Sequence, residues 1–213
     1  MAFAWRRANP LGSFKLLRSH RELYGLATVN FLGLLAHAVL PSITVLYMLY
    51  RYGWDERAVG FTMAGVGVCS MIVQGALIGP TVARFGERAT LIVGLVFGVL
   101  GFAVFGLAET GIGFLAGIPL LALWGFANPA ALGLMSHQVD ATEQGRLQGA
   151  NASIMGIANL LGPALFAQTL AFSIAGGGGY WSGAAFVLAA LIVVFAIAVA
   201  WRSSARDPAK PPM

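Results

Sequence analysis

Hydrophobic positions in this chain do not alternate with polar ones; they fuse into long uncharged stretches separated by short charged clusters. Leu23–Tyr50, Ala58–Ala83, Ala89–Ala108 and Thr110–Val139 contain no Asp, Glu, Lys or Arg, and each reaches the roughly 20 apolar residues that a helix needs to cross a hydrocarbon core. A fifth stretch, Leu147–Trp201, is long enough for two crossings and is broken by Gly176, Gly177, Gly178 and Gly179, a run suited to an exposed turn. The pattern therefore predicts an all-α membrane protein of six transmembrane helices, at about 23–50, 58–80, 89–108, 111–135, 150–173 and 180–201, forming one bundle over 22–201. Residues 1–21 read as a basic leader lying along the headgroups, and 202–213 as a tail.

Charge adds the orientation. Of the 13 Lys and Arg residues, only Arg51 and Arg57 fall on the side opposite the termini; Arg84, Arg88, Arg146 and the basic residues of leader and tail share the terminal side. Basic residues accumulate in short cytoplasmic loops, so both termini are expected in the cytoplasm. The 58% hydrophobic content and the mere 10% of charged residues agree with a bundle solvated by lipid. A net charge of +5 raises nucleic acid as a partner, but the basic residues are scattered over four membrane flanks and form no binding stripe. About twenty basic and mixed residues precede the first span, which does not match the layout of a cleaved signal peptide. The single cysteine, Cys69, lies inside a span and reads as a packing residue, with neither disulfide nor metal cluster to join. No cofactor is expected.

The six spans divide into two threes. Pro41 follows Glu22 at the same distance as Pro129 follows Thr110, so the first and fourth spans are interrupted at equivalent depth. Three is odd, so the second triple enters from the other side, which makes the arrangement a 3+3 inverted repeat; matched interruptions of this kind point to a substrate pathway. Asn30, His37 and Thr44 recur every seven residues and share one helix face. Polar side chains in hydrocarbon need partners or water. Asn30, His37 and Pro41 in the first span, Ser70 and Gln74 in the second, and Asn128 beside Pro129 in the fourth are accordingly the candidates for a cavity. The competing reading of each is a side chain that joins helices through hydrogen bonds worth about 0.6 kcal/mol. Asn151 and Asn159 read first as packing residues. The spans also carry glycine and alanine pairs at four-residue spacing, such as Gly94 with Gly98, where backbones can approach closely. No carboxylate lies in any span, and an enzyme site would need a nucleophile with its base, or a metal cluster, which the isolated His37 does not provide.

Three segments carry a family resemblance. The loop after the second span, with Gly79, Arg84, Gly86 and Arg88, resembles the signature cytoplasmic loop of the major facilitator superfamily, although Ala83 stands where an acidic residue is often found. Pro129 and Ala130 followed by Ser136, Gln138, Val139 and Asp140, then Gln144, Gly145, Gln148 and Gly149, then the pair Gly162 and Pro163, resemble in this order the region around the tenth and eleventh helices of tetracycline/proton antiporters. Asn9–Ser13 is similar to the end of the central loop that precedes their seventh helix. The resemblance implies the C-terminal half, helices seven to twelve, of a drug/proton antiporter. That half would work in the bacterial inner membrane with an N-terminal half or a second copy of itself, moving a small amphipathic substrate against protons. Tetracycline exporters resemble one another in a His-Ser pair in the eighth helix, where this chain has Cys69-Ser70. The alternative reading is a membrane interaction or regulatory subunit, or a transporter remnant, without transport of its own.

Overall fold

The computed structural model describes residues 21–176 and 180–204. Within them every regular element is helical: α1 (Arg21–His37), α2 (Val39–Tyr52), α3 (Glu56–Ile72), a π-helical segment (Val73–Leu77), α4 (Ile78–Leu107), α5 (Gly111–Trp124), α6 (Ala127–Ser136), α7 (Gln144–Ala175), a 3₁₀ turn (Tyr180–Gly183) and α8 (Ala184–Ser204). The leader, the tail beyond Ser204 and most of the glycine run lie outside the described residues.

Five continuous helical runs are long and apolar enough to cross a membrane. One of them, Glu56–Leu107, spans 52 residues, about 78 Å at 1.5 Å per residue and more than twice a hydrocarbon core. Gly86 divides it, with φ 78° and ψ 164°, a backbone region that only glycine enters readily. The chain turns at that one residue, so the five runs supply six crossings, as expected for a half bundle. The separate loop expected over 79–88 is not present. Helix continues through Phe85 and resumes at Glu87, and the reversal that a loop would make is concentrated in Gly86, where Thr90 Oγ1 donates to the carbonyl at 2.7 Å.

The other boundaries have local causes. Gly53 closes α2 in the left-handed conformation and its N–H donates to the Leu49 carbonyl. Asp55 and Thr110 cap α3 and α5 by accepting from the Ala58 and Gly113 N–H groups. Helix α7, at 32 residues, is about 48 Å long and begins at Gln144, before the expected start of its crossing.

The two interruptions appear where the repeat predicts them, one turn ahead of each proline. Pro41 has no N–H for the His37 carbonyl, and the helix breaks at Ala38; Pro129 has none for the Gly125 carbonyl, and the helix breaks at Gly125 and Phe126. The strain is taken up by tighter bonds: the Ala38 N–H is shared between the Leu34 and Leu35 carbonyls, and Gly125 and Phe126 donate three residues back.

At the bundle centre α4 packs against α5 and α8, and α1 against α8. The end opposite Gly86 is closed by an aromatic cluster in which Phe114 stacks on Phe105 at 3.9 Å and meets Tyr47, Tyr52, Trp54 and Phe186. The phenols are satisfied there, Tyr52 donating to the Ala108 carbonyl at 2.9 Å and Tyr47 to that of Phe105 at 3.3 Å. Helix α3 packs chiefly on α5, and α7 chiefly on α1 and α2; the two make no substantial contact with each other.

Candidate substrate cavity

A cavity of about 640 Å³ opens beside the two breaks, walled by α1, α2, α3, α4, α5 and α6. Asn30, His37, Pro41, Ser70, Gln74 and Asn128 all line it, although they come from three different crossings. His37, Pro41, Gln74 and Asn128 are exposed to the open side, Ser70 is half-buried and Asn30 is buried. Thr44 and Thr62 complete the polar lining, and among the described residues no Asp, Glu, Lys or Arg belongs to it. The remaining wall is aliphatic and aromatic, with Leu91, Leu95, Phe105, Phe114 and Trp124 at its back.

The polar residues differ in how they are held. The Asn30 amide donates to Asn151 Oδ1 at 3.4 Å, which ties α1 to α7 and makes Asn30 a helix-joining residue as well as a wall residue. Asn151 thus has the packing role its sequence position suggested. Thr44 Oγ1 is buried and has no partner among the described residues. Gln74 is the second residue of the π-helical segment, a local widening that precedes Pro80, and it lines the cavity. His37 rests against the Trp124 indole with ring centroids 5.5 Å apart. Among the described residues no group of His, Cys, Asp or Glu is arranged to hold a metal ion.

The motif residues lie at the other end, around Gly86. Gly79, Arg84 and Arg88 are exposed on helix flanking the break, and Arg84 stacks over Phe85. Glu87, which sequence reasoning passed over, is the residue that connects this corner to the next: its carboxylate lies 3.4 Å from His137 Nε2 and fills the space above Gly133, where a side chain would collide with it. Gln144 organises the segment that follows α6, donating to the Ser136 and Val139 carbonyls and accepting from Ser136 Oγ. Gln138 is half-buried in that segment, whereas Asp140, Gly145, Gln148 and Gly149 face outward. Gly162 is pressed against Ala38 at the first break, and Pro163 is on the exposed side of α7. From Ser136 onward the family segment is therefore divided between a loop clasp at Gln144 and a helix contact at Gly162, while Pro129 at its start lines the cavity.

An uncharged cavity at the interrupted helices of a six-crossing bundle is the architecture of one half of a membrane transporter. The chain belongs to the Major Facilitator Superfamily, whose family model matches residues 10–212. It is similar to the class C tetracycline resistance protein of Escherichia coli, 29% identical over 187 residues that cover 88% of this chain and 46% of that protein. The class B protein of the same organism is 31% identical over 142 residues, 67% of this chain and 35% of the relative. Hippocampus abundant transcript-like protein 1 of Homo sapiens is 28% identical over 163 residues, 76% and 32% respectively. The chain spans less than half the length of these relatives.

Proposed function

We propose that this chain forms one half of a secondary transporter that exports a small amphipathic, drug-like molecule in exchange for protons, paired with an N-terminal six-helix bundle. The observation that carries the reading is the open, uncharged cavity at two matched helix breaks. Seven neutral polar side chains set in an apolar and aromatic wall suit a molecule with a large apolar body and several hydrogen-bonding groups. The cavity stands open on one side, and α3 and α7 make no substantial contact with each other, which leaves room for a second bundle against which this one can rock. The similarity to tetracycline resistance proteins, of which this chain matches less than half, supports a drug-like cargo, and export is the direction this reading adopts. In this reading His37 and Asn128 contact substrate, and the proton-coupling carboxylate belongs to the other bundle, since the cavity wall described here has none. The setting is the bacterial inner membrane with both termini cytoplasmic, the side on which the Gly86 corner and the basic residues flanking it lie.

The test uses single cysteines at positions 37 and 128 in a Cys69→Ser background, in lipid vesicles. Both should react with a membrane-impermeant maleimide and be protected by an amphipathic drug, and the chain by itself should drive no drug uptake against a pH gradient. Unreactive cysteines would remove the two residues from the pathway; uptake by the purified chain would replace the paired half with a self-sufficient homodimer. A second reading, a membrane interaction or regulatory subunit without transport, is favoured by the lack of any ionisable group besides His37 in the cavity wall. It predicts stable co-purification with another membrane protein and no protection of either cysteine by drugs.

A further inference from the structure

His37 is the last residue of α1 and Trp124 the last residue of α5, so each ring stands on the lip of one of the two breaks. The rings meet with centroids 5.5 Å apart and planes inclined by 40°. Trp124 is held firmly from behind. Its indole packs edge-on to Phe102 at 4.9 Å and fills the notch left by Gly98, where an added Cβ would come within 2.7 Å of Cδ1. His37, by contrast, is exposed to the cavity and has only this ring on which to lean among the aromatic residues described. A fixed ring at one break thus supports a free ring at the other.

Both breaks are soft, because each proline removes the bond that would stiffen the turn before it. A contact between the two lips has an energy that depends on the bend of both helices at once. We infer that Trp124 is a positioning residue that couples the two breaks: through His37 it transmits bending of the first crossing at Ala38 to the fourth crossing at Gly125, and the reverse. The coupling is a property of this chain alone and stands whether or not the cavity carries a drug. Such a coupling is reciprocal, so disturbing either ring must loosen both breaks. Helix α1 also packs on α6, a separate route between the same crossings that substitutions in the two rings leave in place.

Hydrogen–deuterium exchange on the whole chain in lipid nanodiscs tests this, read in the segments 38–44 and 125–131 with α8 as the reference. Trp124→Leu should speed exchange in 38–44 as well as in 125–131, by about two- to tenfold, the factor that loss of an aromatic contact implies. His37→Leu, at an exposed position that leaves the core intact, should speed exchange in 125–131 to a similar degree. Trp124→Phe keeps a ring at the contact and should leave 38–44 near the wild-type rate. The inference is overturned if 38–44 is unchanged in Trp124→Leu, if 125–131 is unchanged in His37→Leu, or if the Phe variant loosens 38–44 as much as the Leu variant. Should Trp124→Leu fail to fold, the His37→Leu and Trp124→Phe arms decide the matter by themselves.

Discussion

Replacing Gly94 by alanine asks how closely the fourth crossing is seated at its break. An ideal Cβ on Gly94 would stand 2.7 Å from the Ala127 backbone nitrogen, 3.1 Å from the Phe126 Cβ and 3.2 Å from the Ala127 Cα. Two of these are backbone atoms and the third is a Cβ, none of which a rotamer change can move, so α4 and α6 must move apart. Forcing a methyl into packed structure costs about 1–3 kcal/mol. Glycine-to-alanine exchange inside a helix also gains about 1 kcal/mol of backbone propensity, which would mask part of that cost. Gly67, within α3 and with nothing within 4 Å of its own ideal Cβ, is the matched control. The propensity gain is common to both substitutions and cancels in the comparison, leaving the packing cost. At about 2–4 °C per kcal/mol for a chain of this size, Gly94→Ala should melt about 2–12 °C below Gly67→Ala. Thermal unfolding in detergent micelles, followed by circular dichroism and by loss of the monodisperse peak, measures the difference. Equal melting temperatures would show that α4 and α6 are not in backbone contact at the break, and would refute the reasoning.

Gln144→Ala removes three hydrogen bonds that order the segment after α6 and should destabilise it by about 1–3 kcal/mol, read as faster proteolysis between Ser136 and Glu143. Tyr52→Phe leaves the Ala108 carbonyl without its donor and should lower stability by about 0.5–1.5 kcal/mol in a denaturant titration, with the aromatic cluster otherwise retained. Glu87→Gln should change stability by less than about 1 kcal/mol, because the His137 side chain that faces it is 76% exposed; a larger loss would show a stronger role for that corner than its geometry supports.

Most of the architecture was readable because a bilayer imposes a length and a polarity on every crossing. The uncharged stretches counted the helices, and the equal offsets of Pro41 and Pro129 located both breaks to within a turn. The breaks themselves sit at Ala38 and Gly125, since a proline disturbs the turn before it. Five of the six cavity residues stood out as polar side chains where hydrocarbon tolerates few, and Pro41 as a helix interruption; all six line the one cavity. What escaped were contacts that depend on the third dimension. Trp124 lies in an apolar run that gives no polar signal, although its place next to Gly125, the repeat equivalent of His37, points to the equivalent lip of the fourth crossing. Glu87 was hidden because its partners Gly133 and His137 are remote in sequence. The pairing of Asn30 with Asn151 across 121 positions was equally invisible. The expected loop at 79–88 failed for the opposite reason: a glycine at positive φ reverses the chain without the extra residues a loop would use.

That one-residue corner has a mechanical consequence. From Glu56 to Phe85 the second crossing is a continuous helical rod about 45 Å long, packed chiefly on α5. Gly86 supplies a fulcrum with no slack, so the rod acts as a lever. A rotation of about 5° there sweeps its Glu56 tip through about 4 Å, and torsion spread over one residue's φ and ψ becomes, at the opposite membrane face, a displacement on the scale of a side chain.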